Sequence, residues 1–241
     1  MDELVHQHCA GTGDVRVGLA RRAVAEALGT CLLVTAVVGS GIMASRLSPD
    51  DVGLQLLQNA AATAGALIAL ILVFGAVSGA HLNPVVTLLD RLFATITTRD
   101  ATAYVAAQVV GAAAGSLLAN AMFELPTFDW ATTQRSSGAL WLSEVLATLG
   151  LLLVIHGCIR TGRRGAVPYA VAAWIGGAYW FTSSTSFANP AVTLGRTLSD
   201  SFAGIDPASA PMFIVMQLAG MLVAYALIRY LYLDPRAEVT G

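Results

Sequence analysis

The sequence predicts an all-α membrane protein in which six transmembrane helices and two re-entrant half-helices form an inverted three-helix repeat. Three observations predict it. Of 241 residues, 56% are hydrophobic and 12% charged, with a mean hydropathy of +0.69, which is the profile of a polytopic membrane protein. Asn83-Pro84-Val85-Val86-Thr87-Leu88 returns as Asn189-Pro190-Ala191-Val192-Thr193-Leu194, although a chain with so few Asn and Pro should hold only roughly 0.1 Asn-Pro pairs by chance. Around these copies the halves repeat again: Glu26 in AEALGTCLLV matches Glu144 in SEVLATLGLLLV, and Gln108-Val-Val-Gly111 matches Gln217-Leu-Ala-Gly220.

Residues 1–18 (MDELVHQHCAGTGDVRVG) lack an apolar h-region, so a cleavable signal is not expected and this stretch reads as a cytoplasmic tail. His6, His8 and Cys9 within it are ligand types for a soft metal, but in a tail they read as incidental, and no metal site or cofactor is expected. Six apolar segments follow, at about 20–44, 54–79, 101–123, 138–160, 165–185 and 211–233, each long enough to span. A single membrane domain over 19–233 thus divides into a first repeat (19–123), a polar linker (124–137, ELPTFDWATTQRSS) and a second repeat (138–233), with a cytoplasmic tail at 234–241. Three spans per repeat force the second copy to enter from the opposite side.

Each Asn-Pro opens a helix, because Asn caps an N-terminus and Pro at the first helical position needs no N–H. The first such helix, about 84–92, would be roughly 14 Å long, half of a hydrocarbon core of about 30 Å. Approached by SGAHL and TSSTSFA, neither is a span of its own; both read as re-entrant segments whose loops need protein or a water-filled cavity around them. Two half-helices entering from opposite sides meet at the midplane, aim two partial positive charges at one point and so repel cations. Asn83 and Asn189 can also offer amide N–H groups to a passing oxygen, orienting a file of water against proton hopping.

All 13 basic residues are Arg; with the N-terminus inside, ten lie on the cytoplasmic side and only Arg46, Arg135 and Arg196 outside. The net charge of −2 argues against nucleic acid. Cys31 and Cys158 sit in apolar spans and read as buried thiols outside any disulfide framework. Glu26 and Glu144 are intramembrane carboxylates: either proton-coupling groups of a secondary transporter, or acceptors for loop N–H groups that hold the half-helices, the reading that symmetric duplication favours. Gly111 and Gly115 allow close helix approach. His81 is expected in the loop's hydrogen-bond network and His156 at a helix contact. No nucleophile and base, metal cluster or phosphate loop stands at workable spacing for an enzyme.

SGAHLNPVVT, the second NPAVT and the paired Glu and Gln-x-x-Gly positions resemble the major intrinsic proteins, the aquaporin and aquaglyceroporin family, over residues 18–233. The resemblance implies an aquaporin-like fold, one pore per subunit, a homotetramer in the cell's inner membrane, and a path for water or small neutral solutes. In the family an Arg usually stands three residues after the second Asn; here that position is Val192. The other filter positions, by their family spacing, are Thr63, Gly177 and Ser186, so all four are small and uncharged. Loss of the guanidinium, an aromatic ring and an imidazole from one level predicts a wide pore for glycerol-like polyols and for metalloid hydroxides such as arsenite, besides water. Bacterial members associated with arsenic resistance share this Val. Arg196 lies one helical turn beyond Val192; it either leans back over the mouth or, as preferred here, reaches the headgroups or pairs with Asp200. A water-selective channel and a proton-coupled transporter stand as alternatives.

Overall fold

The computed structural model describes residues 17–232; the tail residues 1–16 and 233–241, with His6, His8, Cys9, Arg16 and Arg236, lie outside the described residues. Eight α-helices follow in order: α1 (Leu19–Leu47), α2 (Val52–Ser78), α3 (Pro84–Leu92), α4 (Thr98–Met122), α5 (Gly138–Arg160), α6 (Val167–Phe181), α7 (Pro190–Gly195) and α8 (Ala210–Leu231). The caps follow from sequence. Asp51, Thr97 and Ser137 accept the N–H of Leu54, Asp100 and Leu140 at the starts of α2, α4 and α5, while Gly79 ends α2 in the left-handed region at φ +90°.

Among the described residues five helices, α1, α2, α4, α5 and α8, are long and apolar enough to cross a membrane. The fifth expected span, 165–185, is shorter than predicted: α6 holds 15 residues, preceded by a 3₁₀ turn at Arg164–Ala166, so it rises only about 22 Å. The reason lies at its end. Thr182 turns extended and donates its hydroxyl to the Ala178 carbonyl, and residues 184–188 are drawn off toward Glu144.

The two halves pack alike: α1 lies against α2 and α4, α5 against α6 and α8, and the halves join through α2 on α6 and each half-helix on the far repeat. At the α1–α4 crossing the backbones touch, since a Cβ on Gly111 would stand 2.2 Å from the Ala27 carbonyl oxygen and one on Gly115 2.3 Å from that of Cys31. The outer surface is apolar, with Val73, Val110 and Leu142 each more than 60% exposed, as lipid-facing side chains should be. Cys31 and Cys158 are free thiols, half-buried rather than enclosed.

Candidate functional site

Both half-helix loops are built on one carboxylate each. Glu26 is fully buried; its Oε1 accepts from Ser78 Oγ (2.6 Å) and His81 N (3.0 Å), and its Oε2 from Leu82 N (2.7 Å) and Gln108 Nε2 (2.8 Å). Glu144, equally buried, repeats the pattern with Ser184 Oγ (2.6 Å), Phe187 N (3.0 Å), Ala188 N (2.9 Å) and Gln217 Nε2 (2.6 Å). Four charge-assisted bonds per carboxylate fill its acceptor sites. They also hold strained backbone, because Ala80 and Leu82 in one loop and Ser186 and Ala188 in the other have φ between +46° and +54°, at a cost of about 1–2 kcal/mol per residue. Each carboxylate thus gathers the N–H and hydroxyl groups of the loop that leads to its half-helix.

Asn83 and Asn189 cap their helices and cross-link them. Asn83 Oδ1 accepts from Val85 N at 3.0 Å, and its amide donates to the Ala188 carbonyl at 2.8 Å; Asn189 Oδ1 accepts from Ala191 N and Val192 N, and its amide donates to the Leu82 carbonyl, again at 2.8 Å. Pro84 and Pro190 occupy the first helical positions, and Pro84, Val85, Pro190 and Ala191 are buried. One N–H of each amide is consumed in the cross-link, leaving the second for the cavity that both Asn side chains line.

That cavity, of about 850 Å³, runs from Thr95, Arg160 and Arg164 at one face, past the paired Asn, to an end formed by Thr63, Tyr179, Ser186, Phe187, Val192 and Arg196. Its walls are mainly aliphatic, with Leu33, Val37, Leu67, Val86 and Val171 among them. Three of the four filter residues expected from spacing, Thr63, Ser186 and Val192, line this end. Gly177 does not: it is exposed on the far side of α6. The wall of α6 is instead Pro168, Val171, Ile175 and Tyr179, an i, i+4 stripe to which position 177 lies nearly opposite. Counting back from Asn189 fails because a count along the chain does not say which face of α6 a position takes. Tyr179 OH stands 3.1 Å from Thr63 Oγ1, so the constriction is narrower and more polar than four small residues imply.

Arg196 is the second correction. Its expected partner Asp200 instead accepts from Thr132 N and Oγ1. The guanidinium turns inward, 2% exposed, where it stacks 3.4 Å from the centroid of Phe187 and donates from Nε to the Ala203 carbonyl. Arg196 and Val192 line the same cavity, so the cation missing at position 192 is present at the same end of it. Arg135, from the linker, lies 5.3 Å from the same ring and donates to the Gly204 carbonyl; burial pushes its pKa down.

Toward the opposite face, His81 is both networked and cavity-lining: Nδ1 meets Thr87 Oγ1 at 3.1 Å and Nε2 meets Asp90 Oδ2 at 3.1 Å. His156 also lines the cavity, with Nε2 3.5 Å from Asp90 Oδ1 yet without a hydrogen bond, and its ring lies against Phe93. Sequence reasoning passed over Asp90, Tyr179 and Phe187. Asp90 carried a signal, since an acid seven residues after Asn83 falls on the face of a half-helix already aimed at the pore. The two aromatics carried none that spacing alone could read. Among the described residues no group of three or more His, Cys, Asp or Glu is arranged to hold a metal ion.

Comparison with known proteins agrees with this architecture. The family model described as major intrinsic protein matches residues 15–184. The chain is 51% identical over 213 residues to the aquaglyceroporin AqpS of Rhizobium meliloti, covering 88% of this chain and 91% of that one. To the probable aquaporin AqpM of Archaeoglobus fulgidus it is 30% identical, covering 88% and 97%. Its fold matches the X-ray structure of the aquaglyceroporin from Plasmodium falciparum with a TM-score of 0.69 over 92% of this chain and 100% of that one, at 21% identity. With its twin capped half-helices cross-linked through their asparagines, the chain belongs to the major intrinsic protein family.

Proposed function

We propose that this protein is a passive channel that conducts glycerol-like polyols and metalloid hydroxides such as arsenite, together with water. The observation that carries the reading is Val192 in the cavity wall where the family usually has Arg, at the end of a continuous, mostly aliphatic passage. An aliphatic wall accepts the carbon or metalloid face of a neutral solute, while the paired Asn amides and the Thr63, Tyr179 and Ser186 hydroxyls meet its oxygens. The 51% identity to a protein called an aquaglyceroporin supports the polyol part. The donors gathered on Glu26 and Glu144 favour a passive pore over proton coupling, because they tie both carboxylates to the loops of the half-helices and away from the passage.

Purified protein in liposomes tests this by stopped-flow light scattering. Glycerol and arsenite entry should follow the gradient alone and be indifferent to collapse of a proton gradient. Val192→Arg should cut both fluxes while water flux survives; unchanged solute flux would place the constriction elsewhere. Tyr179 and Arg196 at the filter favour a second, narrower reading, a water-selective pore, which water flux with complete rejection of glycerol and arsenite would select.

The same reading includes the setting. A multi-pass protein with its arginines biased to the face of the N-terminus belongs in the inner membrane with both termini cytoplasmic. The exposed apolar surfaces of its helices suit both lipid and a homotetramer of independent pores.

A further inference from the structure

We propose that Arg196 is the specificity-determining cation of this pore, and that with Ser186, Thr63 and Tyr179 it forms a station that passes neutral polyhydroxy solutes and rejects cations of the same size. The inference rests on the cavity being the solute path. Four observations carry it. Arg196 lines the cavity end although it is only 2% exposed, so its burial is against the passage and not in a sealed core. Among the described residues its guanidinium donates one hydrogen bond, from Nε to the Ala203 carbonyl, which fixes the plane and leaves the two terminal amino groups as donors. The ring it stacks on is itself held, since Phe187 meets Phe213 edge-on at 5.1 Å and hangs by its N–H from Glu144. Beside it Ser186 is 3% exposed and its Oγ has no hydrogen-bond partner among the described residues, an unpaired hydroxyl at the same cavity end.

A buried serine without a partner is costly unless a solute supplies one. A neutral polyol or metalloid hydroxide brings several oxygens within reach of one another. One can accept from the guanidinium, another exchange hydrogen bonds with Ser186 and a third with the Thr63–Tyr179 pair, while the carbon or metalloid face lies on Val192. A cation of equal size meets the same guanidinium without water to screen it. Displacing the charge by one turn therefore leaves the width that Val192 provides and keeps the discrimination of charge.

Urea and guanidinium are near isosteres that differ in charge, and their fluxes into proteoliposomes test this directly. The parent protein should pass urea and exclude guanidinium. Arg196→Gln should raise the guanidinium-to-urea entry ratio about tenfold or more, each flux being normalised to the amount of channel reconstituted. Equal entry of guanidinium and urea through the parent, or continued exclusion by a correctly assembled Arg196→Gln channel, overturns the proposal, the latter because the half-helix dipoles would then suffice. Should Arg196→Gln not assemble, Arg196→Lys decides: it keeps the charge but loses the planar donors, so guanidinium should stay excluded while the glycerol-to-water ratio falls about threefold or more. An unchanged ratio overturns the station. A parent that passes water but neither urea nor glycerol would sink the wide pore instead, and the guanidinium gain in Arg196→Gln is then read against water flux.

Discussion

Removing the carboxylate of Glu144 separates a structural anchor from a proton-coupling group, and the geometry sets the size of the effect. In Glu144→Gln the Oε1 position stays an acceptor for Ser184 Oγ and Phe187 N, while an amide nitrogen replaces the Oε2 that now accepts from Ala188 N and Gln217 Nε2. Gln217 can flip its amide, whose Oε1 is unpartnered in the native protein, to receive the new N–H. The Ala188 N–H is then orphaned and the bond from Gln217 Nε2 to Thr193 Oγ1 is lost, at about 1–3 kcal/mol for the orphaned donor. Glu144→Ala strands all four donors, and at the same scale the loss passes about 4 kcal/mol, a large share of a typical folding free energy. Thermal unfolding in detergent should show Glu144→Gln moderately destabilised and still conducting, and Glu144→Ala failing to assemble. Glu26→Gln and Glu26→Ala should follow the same order, because the donors around Glu26 match one for one. A Glu144→Gln protein of undiminished stability whose solute uptake has vanished would refute the anchoring role and return the carboxylate to a transport mechanism.

Two further outcomes follow from contacts elsewhere. Gly115→Ala should destabilise the bundle by about 1–3 kcal/mol, because its Cβ would meet the Cys31 carbonyl oxygen at 2.3 Å, whereas Gly65→Ala, with nothing within 4 Å of a new Cβ, should be neutral or stabilising by up to about 1 kcal/mol; comparing the two melting curves checks the α1–α4 approach, and equal curves would contradict it. Tyr179→Phe removes the 3.1 Å contact with Thr63 Oγ1, so stability should fall by about 1 kcal/mol and the glycerol-to-water flux ratio by about threefold; an unchanged ratio would place Tyr179 outside the constriction.

Features that depend on period and duplication were legible in the sequence, and features that depend on where a side chain turns were not. Hydropathy located the spans, two capped Asn-Pro starts located the half-helices, and the repeated Glu and Gln-x-x-Gly positions led to the loop anchors. The length of α6 was hidden, because the hydroxyl run Thr182–Ser186 can still close a helix, and it leaves α6 only where Glu144 captures the loop from another helix. Gly177 was misplaced for a related reason. A count from Asn189 carries no helix phase, and two residues on a helix turn a position by about 200°, from the wall at Ile175 and Tyr179 to the outside at Gly177. Arg196 needed tertiary information of another kind, namely that Phe187 would be free to receive it and that Thr132 would already have taken Asp200.

The displaced arginine and the second half-helix explain one another. α7 is only six residues long and passes at Arg196 into a 3₁₀ turn that runs to Leu198, whereas α3 continues for nine residues. The tighter turn advances about 120° per residue instead of about 100°, so the side chain at its start keeps the direction of the turn before it while the chain beyond swings away to Ser199. Val192 leaves open the space into which that guanidinium leans, and an Arg at 192 would set two like charges within one turn of each other in a site with little water. Val at 192 and Arg at 196 therefore behave as one exchange. A Val192→Arg protein should become stable and conduct water more readily when Arg196→Gln is added, and a double-mutant cycle with no coupling between the two positions would show that the guanidinium of Arg196 and the side chain at 192 do not share one space.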